Sequence, residues 1–332
     1  MPPIVGITHS HRKAGKFFTD EALAALAEHA ELRFLGNAKE PGFHQQLSDV
    51  DILIGSWGMP QLNADFLAAA PQLRAVCYAA GTVKGFVTDA SYARGIVVTT
   101  AMHANAIPVA EVSVALILLA NKRWFVCQDA MRRDGEMGRQ SCYGDGHPGN
   151  YRSTVGLIGY GAIGRATHAL LQAYDLQVLI YDPYANADEI AAQGAEAVEL
   201  VELARRSDVV SLHAPNIPAT RHMMNREVFA AMRDGATFIN TARGALVDED
   251  ALVAELRTGR IYAMLDVTDP EPPAPDHPFW TLPNCWLTPH RAGSSGREVQ
   301  RMGAYAVEDC LRILRGEAPR YPVTQDMLAT MA

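Results

Sequence analysis

Residues 154–165, Thr-Val-Gly-Leu-Ile-Gly-Tyr-Gly-Ala-Ile-Gly-Arg, constrain the fold more than any other stretch of the chain. Val155, Leu157 and Ile158 form a short apolar run of the kind expected for a strand buried on both faces. Gly159, Gly161 and Gly164 then fit G-x-G-x-x-G, and residues 162–173, beginning Ala162-Ile163, predict a helix leaving that loop. The three glycines serve different physical ends. They allow a tight turn, close approach of the backbone to a pyrophosphate, and close packing of helix on strand. The helix start adds unpaired N–H groups and the positive end of its dipole. A second apolar run, 178–181, ends in Asp182, 18 residues beyond Gly164. A carboxylate near that separation accepts hydrogen bonds from an adenosine ribose and repels a 2′-phosphate. Pro183 and Tyr184 follow it, and no Arg does. Strand, helix, second strand and acid in register predict a dinucleotide site, with NAD favoured over NADP.

At 332 residues the chain is long enough for about two domains. The net charge of −8 argues against nucleic-acid or anionic-membrane partners. No uninterrupted apolar run reaches the ~18–20 residues of a membrane span. The N-terminus enters a strand-like run without the charged and apolar regions of a signal peptide. Five scattered cysteines, none in a C-x-x-C pair, suggest reduced thiols in a cytoplasmic protein with no metal framework. Cys77 and Cys285 sit in apolar runs and read as core.

Taken in order, strand-like runs occur at 3–8, 32–35, 52–55, 75–79 and 97–99, with helices capped by Thr19 and Asn63 between them. That alternation predicts a small parallel α/β unit ahead of the glycine loop. Residues 108–127 carry apolar residues at helical spacing and predict a long connecting helix. Residues 133–153, polar and glycine-rich, predict a loop. Beyond the two strands already described, strands are predicted at 209–212, 236–240, 263–267 and 286–288, and a last helix at 297–315. Six strands alternating with helices from 154 to 290 match a doubly wound sheet.

In such sheets ligands gather beyond the carboxyl ends of the strands. Those ends carry His213-Ala214-Pro215, then Thr241-Ala242-Arg243-Gly244, then Asp266 with Glu271 five residues on, then Pro289-His290. An Arg, a Glu and a His thus reach one edge from successive strands. The Arg can fork two hydrogen bonds onto a carboxylate. The His can shuttle a proton, oriented by a nearby acid.

With these motifs assembled, the chain resembles the D-isomer-specific 2-hydroxyacid dehydrogenases, the family of D-lactate, D-3-phosphoglycerate, glyoxylate and hydroxypyruvate enzymes. The resemblance rests on Gly159-Tyr-Gly-Ala-Ile-Gly164, His213-Ala-Pro215, Asn240-Thr-Ala-Arg-Gly-Ala-Leu-Val-Asp248, Leu265-Asp-Val-Thr-Asp-Pro-Glu-Pro272 and Leu287-Thr-Pro-His-Arg-Ala-Gly293, with Ala80-Gly81 and Val109-Ala-Glu111. It implies that Arg243 binds substrate and that Glu271 is the acid paired with His290, the catalytic histidine. It implies that Asp266 holds the nicotinamide carboxamide, and that the 213–215, 241–242 and Gly293 segments border the NAD site. Two doubly wound domains are implied. Residues 1–103 and 295–332 form a flavodoxin-like substrate domain, residues 104–294 a Rossmann NAD-binding domain, and a cleft holds the active site. A homodimer paired through the nucleotide domain and a small-molecule 2-oxo or 2-hydroxy acid partner also follow.

The match has departures. Gly81-Thr-Val-Lys84 stands where the family often has Gly-x-Asp-Asn, and Arg291 where an aliphatic residue usually follows the histidine. Trp57 and Trp280 are candidates for the substrate pocket, with core packing as the competing role. His103, His147 and His222 have no nameable partner and read as structural, and Asp269 as a solvated turn residue. Two other functions compete: a formate dehydrogenase-like enzyme, which has Gln in place of the acid, and a non-catalytic NAD-sensing scaffold of the corepressor type. The presence of Glu271, Arg243 and His290 speaks against both.

Overall fold

The computed structural model describes residues 1–9, 17–143 and 149–331. It divides the chain into unit 1, Met1–Asn105 with Ser294–Ala332, and unit 2, Ala106–Gly293. His147 lies outside the described residues.

Unit 1 opens with β1 (Ile4–His9), α1 (Asp20–Ala27), β2 (Glu31–Asn37), β3 (Ile52–Gly55), α2 (Ala64–Ala69), β4 (Ala75–Tyr78), α3 (Asp89–Ala93) and β5 (Val97–Thr100). The Thr19 hydroxyl accepts the Ala22 N–H at 3.2 Å, and Asn63 Oδ1 accepts that of Phe66 at 3.0 Å, so the predicted caps start their helices. The five strands pair in parallel with one another, in the order β2-β1-β3-β4-β5. That is the flavodoxin-like order. Period-two alternation feeds both faces of the sheet: Ile52 and Ile54 enter one core and Leu53 the other.

The next element, α4 (Met102–Asn121), starts earlier and stops sooner than the helix predicted over 108–127. Arg123, in the left-handed region at φ 47°, separates it from α5 (Trp124–Asp134). Among the described residues α4 alone is long and apolar enough, by length and composition, to cross a membrane, although His103, Asn105, Glu111 and Ser113 interrupt its apolar runs. Its Val114, Ile117 and Ala120 pack with Val155 and Leu157 in a core of unit 2.

The predicted loop over 133–153 is also corrected, because α6 (Glu136–Tyr143) occupies its first half. Gly135 turns the chain between the two helices at φ 56°. A Cβ on Gly138 would lie 2.1 Å from the Ala130 carbonyl oxygen. The glycines that read as loop markers are what lets α5 and α6 pack backbone to backbone.

Unit 2 continues with β6 (Thr154–Ile158), α7 (Ala162–Leu171), β7 (Gln177–Tyr181), α8 (Ala187–Ala192), β8 (Glu196–Ala197), α9 (Leu200–Arg206), β9 (Val209–Leu212), α10 (Arg226–Ala231), β10 (Thr237–Asn240), α11 (Glu249–Arg257), β11 (Tyr262–Leu265) and β12 (Cys285–Leu287). The sheet runs β12-β11-β10-β9-β6-β7-β8, all parallel. It carries one strand more than predicted: β8, two exposed residues long, is too short for hydrophobic periodicity to register. The strand order reverses between β6 and β9, where a doubly wound sheet opens its ligand crevice.

The last helix, α12 (Val299–Leu314), belongs to unit 1. It buries Met302, Ala306, Val307 and Cys310 against Val5, Ile7 and Cys77. A Cβ on Gly303 would fall 1.7 Å from the Phe17 carbonyl oxygen, so only glycine fits that contact.

Candidate active site and nucleotide edge

The switch point is built by glycine. Gly159 leaves β6 at φ 92°, and a Cβ there would meet the Ala214 nitrogen at 2.6 Å and the His213 carbonyl carbon at 2.8 Å. The glycine loop and the segment after β9 therefore touch through bare backbone. A Cβ on Gly164 would lie 2.1 Å from the Gly159 carbonyl oxygen, which sets α7 directly on the loop. Gly161 differs: a Cβ there would meet nothing within 4 Å. That open side, with the first-turn N–H groups of Ala162 and Ile163 beyond it, fits the approach of a pyrophosphate.

Asp182 follows β7 directly and is half-buried. One carboxylate oxygen accepts the Tyr160 N–H at 2.6 Å and the other the Tyr184 N–H at 2.9 Å. A carboxylate has about four acceptor positions, so two are left for the ribose hydroxyls of a dinucleotide. The loop is braced by a contact the sequence did not reveal. The Tyr160 hydroxyl and His168 Nδ1 lie 2.9 Å apart, and the Arg165 guanidinium stacks 4.4 Å over the Tyr160 ring.

The three candidate chemical residues all stand at the carboxyl edge of this sheet. Asn240, fully buried at the end of β10, accepts the Ala242 N–H at 2.9 Å and donates to the Arg243 carbonyl at 3.0 Å. That side chain shapes the turn carrying Arg243. The Thr241 hydroxyl meets that of Ser113 at 3.1 Å. Arg243 donates to the Ala242 carbonyl at 2.6 Å. Burial pushes its guanidinium below its usual value, and the Glu271 carboxylate opposes that shift.

Gly244 joins this turn to the next. A Cβ there would lie 2.0 Å from the Thr268 carbonyl carbon and 2.4 Å from the Asp269 nitrogen. The Arg243 turn and the Glu271 loop thus share a backbone contact only glycine permits.

Asp266, buried after β11, organises the histidine. Its carboxylate accepts the Thr288 hydroxyl at 2.5 Å and the N–H groups of Arg291 and Ala292 at 2.7 and 2.9 Å. The Asp266 carbonyl accepts the His290 N–H at 3.0 Å. His290 itself adopts φ 52°, a left-handed conformation that non-glycine residues avoid. Its Nδ1 lies 2.8 Å from Glu271 Oε1. A carboxylate can only accept, so Nδ1 carries the proton and Nε2 is left for other work.

Other predicted residues are placed as follows. His213 is buried with Nε2 3.0 Å from the Ser211 hydroxyl, and Pro215 accepts the Thr220 hydroxyl at 2.6 Å through its carbonyl. Gly293 is the last residue of unit 2. In unit 1, Trp57 lies two residues past β3, packs edge-on against Phe17 at 5.6 Å and is 38% exposed. Ala80 and Gly81 follow β4, with Ala80 buried and its carbonyl accepting the Thr100 hydroxyl at 3.1 Å. Trp280 is exposed and donates to the Ala274 carbonyl at 2.9 Å. Cys77 and Cys285 are buried. Among the described residues there is no cluster of His, Cys, Asp and Glu able to hold a metal.

Strand order, switch point and glycine loop define a Rossmann-type nucleotide-binding unit. Residues 114–292 match the family of the D-isomer specific 2-hydroxyacid dehydrogenase NAD binding domain. The chain belongs to the D-isomer-specific 2-hydroxyacid dehydrogenase family, and unit 2 is its NAD-binding domain. It is 32% identical over 300 residues to a D-3-phosphoglycerate dehydrogenase of Methanocaldococcus jannaschii, covering 90% of this chain and 56% of that relative. The chain thus spans little more than half of that protein's length. A glyoxylate reductase of Thermofilum pendens is 35% identical over 272 residues, 81% of this chain and 80% of the relative. The structure of D-mandelate dehydrogenase from Rhodotorula graminis superposes with a TM-score of 0.84 at 24% identity, covering 98% of each chain, a likeness of fold.

Burial pushes the His213 imidazole down to about 4. A depressed histidine contributes stability that is present above its unfolded value of about 6.5 and lost as pH falls through the folded value. We expect the melting temperature of the wild type to fall more steeply between pH 6.5 and 4 than that of His213→Asn. Parallel melting curves for the two proteins would refute this assignment.

Proposed function

We propose that the chain is an NAD-dependent oxidoreductase that interconverts a 2-oxo acid and a D-2-hydroxy acid. The observation that carries the reading is the His290–Glu271 hydrogen bond at the sheet edge that also bears Arg243. Arg243 holds the substrate carboxylate through a forked pair of hydrogen bonds, its planar donors already oriented by the turn. His290, its Nδ1–H fixed by Glu271, gives the proton on Nε2 to the 2-oxo oxygen during reduction and takes it back during oxidation. The glycine loop and Asp182 would hold NAD(H), which when bound would supply or accept the hydride exchanged with the substrate carbon. The half-buried Arg243 guanidinium stabilises the charge developing on that oxygen. We assign the ribose to Asp182, the pyrophosphate to Gly161, Ala162, Ile163 and Gly164, and the cofactor border to Gly159, His213, Ala214, Pro215, Thr241, Ala242, His290 and Gly293. Asp266, with three of its four acceptor positions occupied, has one for the nicotinamide carboxamide. From unit 1 we propose Trp57, Ala80 and Gly81 as substrate contacts, on their positions just past β3 and β4.

Turnover with glyoxylate, hydroxypyruvate, pyruvate and an aryl pyruvate tests the reaction class. We expect NADH oxidation with at least one acid, and a higher kcat/KM with NADH than with NADPH, because Asp182 repels a 2′-phosphate. Tight NADH binding without turnover would favour the scaffold, and equal efficiency with both cofactors would remove Asp182 from its role.

Arg243→Lys keeps the charge but cannot make the forked pair. Each charge-assisted hydrogen bond is worth roughly 1.5–3 kcal/mol, so kcat/KM should fall on the order of 10–100-fold. Kinetics close to wild type in this variant would place Arg243 outside the site.

We also propose a cytoplasmic homodimer paired through unit 2. Trp124, Met131, Met137 and Tyr143 on α5 and α6 support it, exposing between 50% and 81% of their surface. Sedimentation equilibrium should return twice the 36.1 kDa chain mass, and a monomer would refute the pairing.

A further inference from the structure

Glu249, the first residue of α11, is nearly enclosed, with 14% of its side chain exposed. It faces the segment that carries Glu271 at two points. Its Oε1 accepts the Asp269 N–H at 2.8 Å, and its Oε2 lies 3.7 Å from His277 Nε2. His277 Nδ1 accepts the Phe279 N–H at 3.3 Å, so the proton of a neutral His277 sits on Nε2, toward Glu249. Asp269 and His277 bracket the short segment from which Glu271 reaches His290. We propose that Glu249 is a positioning residue: by holding residues 269 and 277 it sets where Glu271 meets His290. The proposal rests on the proton-transfer role assigned to that pair above.

Three observations support a positioning role. Gly244, five residues before Glu249, already presses on the backbone of Thr268 and Asp269, so contact and hydrogen bond fix the same point. On the surface Asp269 also faces Arg221, 3.8 Å away with both side chains about half exposed. A surface pair of that kind contributes little. Lastly, Glu249 is buried where a carboxylate is costly, among groups that do not neutralise it. Asp250 on its own helix and Asp269 on the loop add negative charge. The buried Cys285 thiol, near enough to feel Glu249, is pushed up to about 12, chiefly by burial. Among the described residues, His277 is the one cationic candidate within 4 Å of its carboxylate.

Burial pushes the Glu249 carboxyl up to about 7, against the pull of the Asp269 N–H. A raised carboxyl contributes stability that is fully present below its unfolded value and lost as pH rises through about 7. The backbone hydrogen bond needs only an acceptor oxygen, which the carboxyl and the carboxylate both supply. Glutamine supplies it too, and alanine does not.

The test compares Glu249→Ala, Glu249→Gln and Glu271→Gln with wild type. Three quantities are measured: pH profiles of kcat/KM for oxo-acid reduction with NADH, the KM for NADH, and the Nδ1 protonation of His290 by nitrogen NMR without cofactor. We expect Glu271→Gln to move the alkaline limb of the profile to lower pH, because it removes the negative charge beside the imidazole. Glu249→Ala should move the limb the same way, lower kcat about tenfold or more, and shift the His290 tautomer populations, with KM for NADH unchanged. Glu249→Gln should restore the wild-type profile and signal. It should also gain melting temperature relative to wild type as pH rises from 5 to 8.

If Glu249→Ala merely melts earlier while its pH limb and His290 signal match wild type, Glu249 is structural and the proposal is wrong. If Glu271→Gln itself leaves limb and signal in place, the reading of the pair falls and takes this proposal with it. The two failures are told apart by which variant is silent.

Discussion

The buried carboxylate of Asp266 is the interaction on which the site depends. A carboxylate away from water must be hydrogen-bonded or its desolvation is prohibitive. All three donors it collects, the Thr288 hydroxyl and the N–H groups of Arg291 and Ala292, lie in the turn around residue 290. Hydrogen bonds to a charged group are worth roughly 1.5–3 kcal/mol each. A non-glycine residue in the left-handed region costs on the order of 1–3 kcal/mol. The bonds therefore outweigh the strain, and His290 is held in a conformation it would leave in a free peptide. Its ring can then meet Glu271 at 2.8 Å while Nε2 remains available.

A second constraint is the approach of backbones without side chains between them. Gly159 lies against His213 and Ala214, Gly164 against Gly159, and Gly244 against Thr268 and Asp269. Each contact would put a Cβ within 3 Å of backbone atoms, which cannot swing aside as a flexible side chain can. Successive βα loops at this edge are thereby packed into one layer. The positions of Arg243 and Glu271 are coupled through Gly244 and not through a direct hydrogen bond between them. The Asn240 side chain completes the arrangement by tying Ala242 and Arg243 back to the end of β10.

Most of the sheet was legible because each central strand is a short apolar run bounded by turn residues, and because sites in doubly wound sheets lie past strand ends. The runs at 52–55 and 209–212 match β3 and β9 residue for residue. What escaped had physical causes. The two residues of β8 pair with β7 only through Leu179 and Ile180, too little to leave a periodic trace. Gly135 and Gly138 signalled a loop, but tertiary packing used them to bring α5 and α6 together. Ser113, His168 and Glu249 each brace a residue at this edge of the sheet from elsewhere in the fold. Their partners are set by register and packing, which no local pattern encodes.

Glu271 and Glu249 show how environment divides labour between identical side chains. Glu271 is 42% exposed, so water hydrates its charge and the carboxylate can answer a proton arriving on the imidazole. Glu249 is 14% exposed, and burial brings its carboxyl up to about 7. A charge so poorly solvated is a poor partner for developing charge elsewhere, but its oxygen remains a good acceptor for a backbone N–H. One glutamate is thus suited to charge and the other to geometry. The segment 269–277 carries the first and is held by the second, and so converts the geometry of Glu249 into the placement of Glu271.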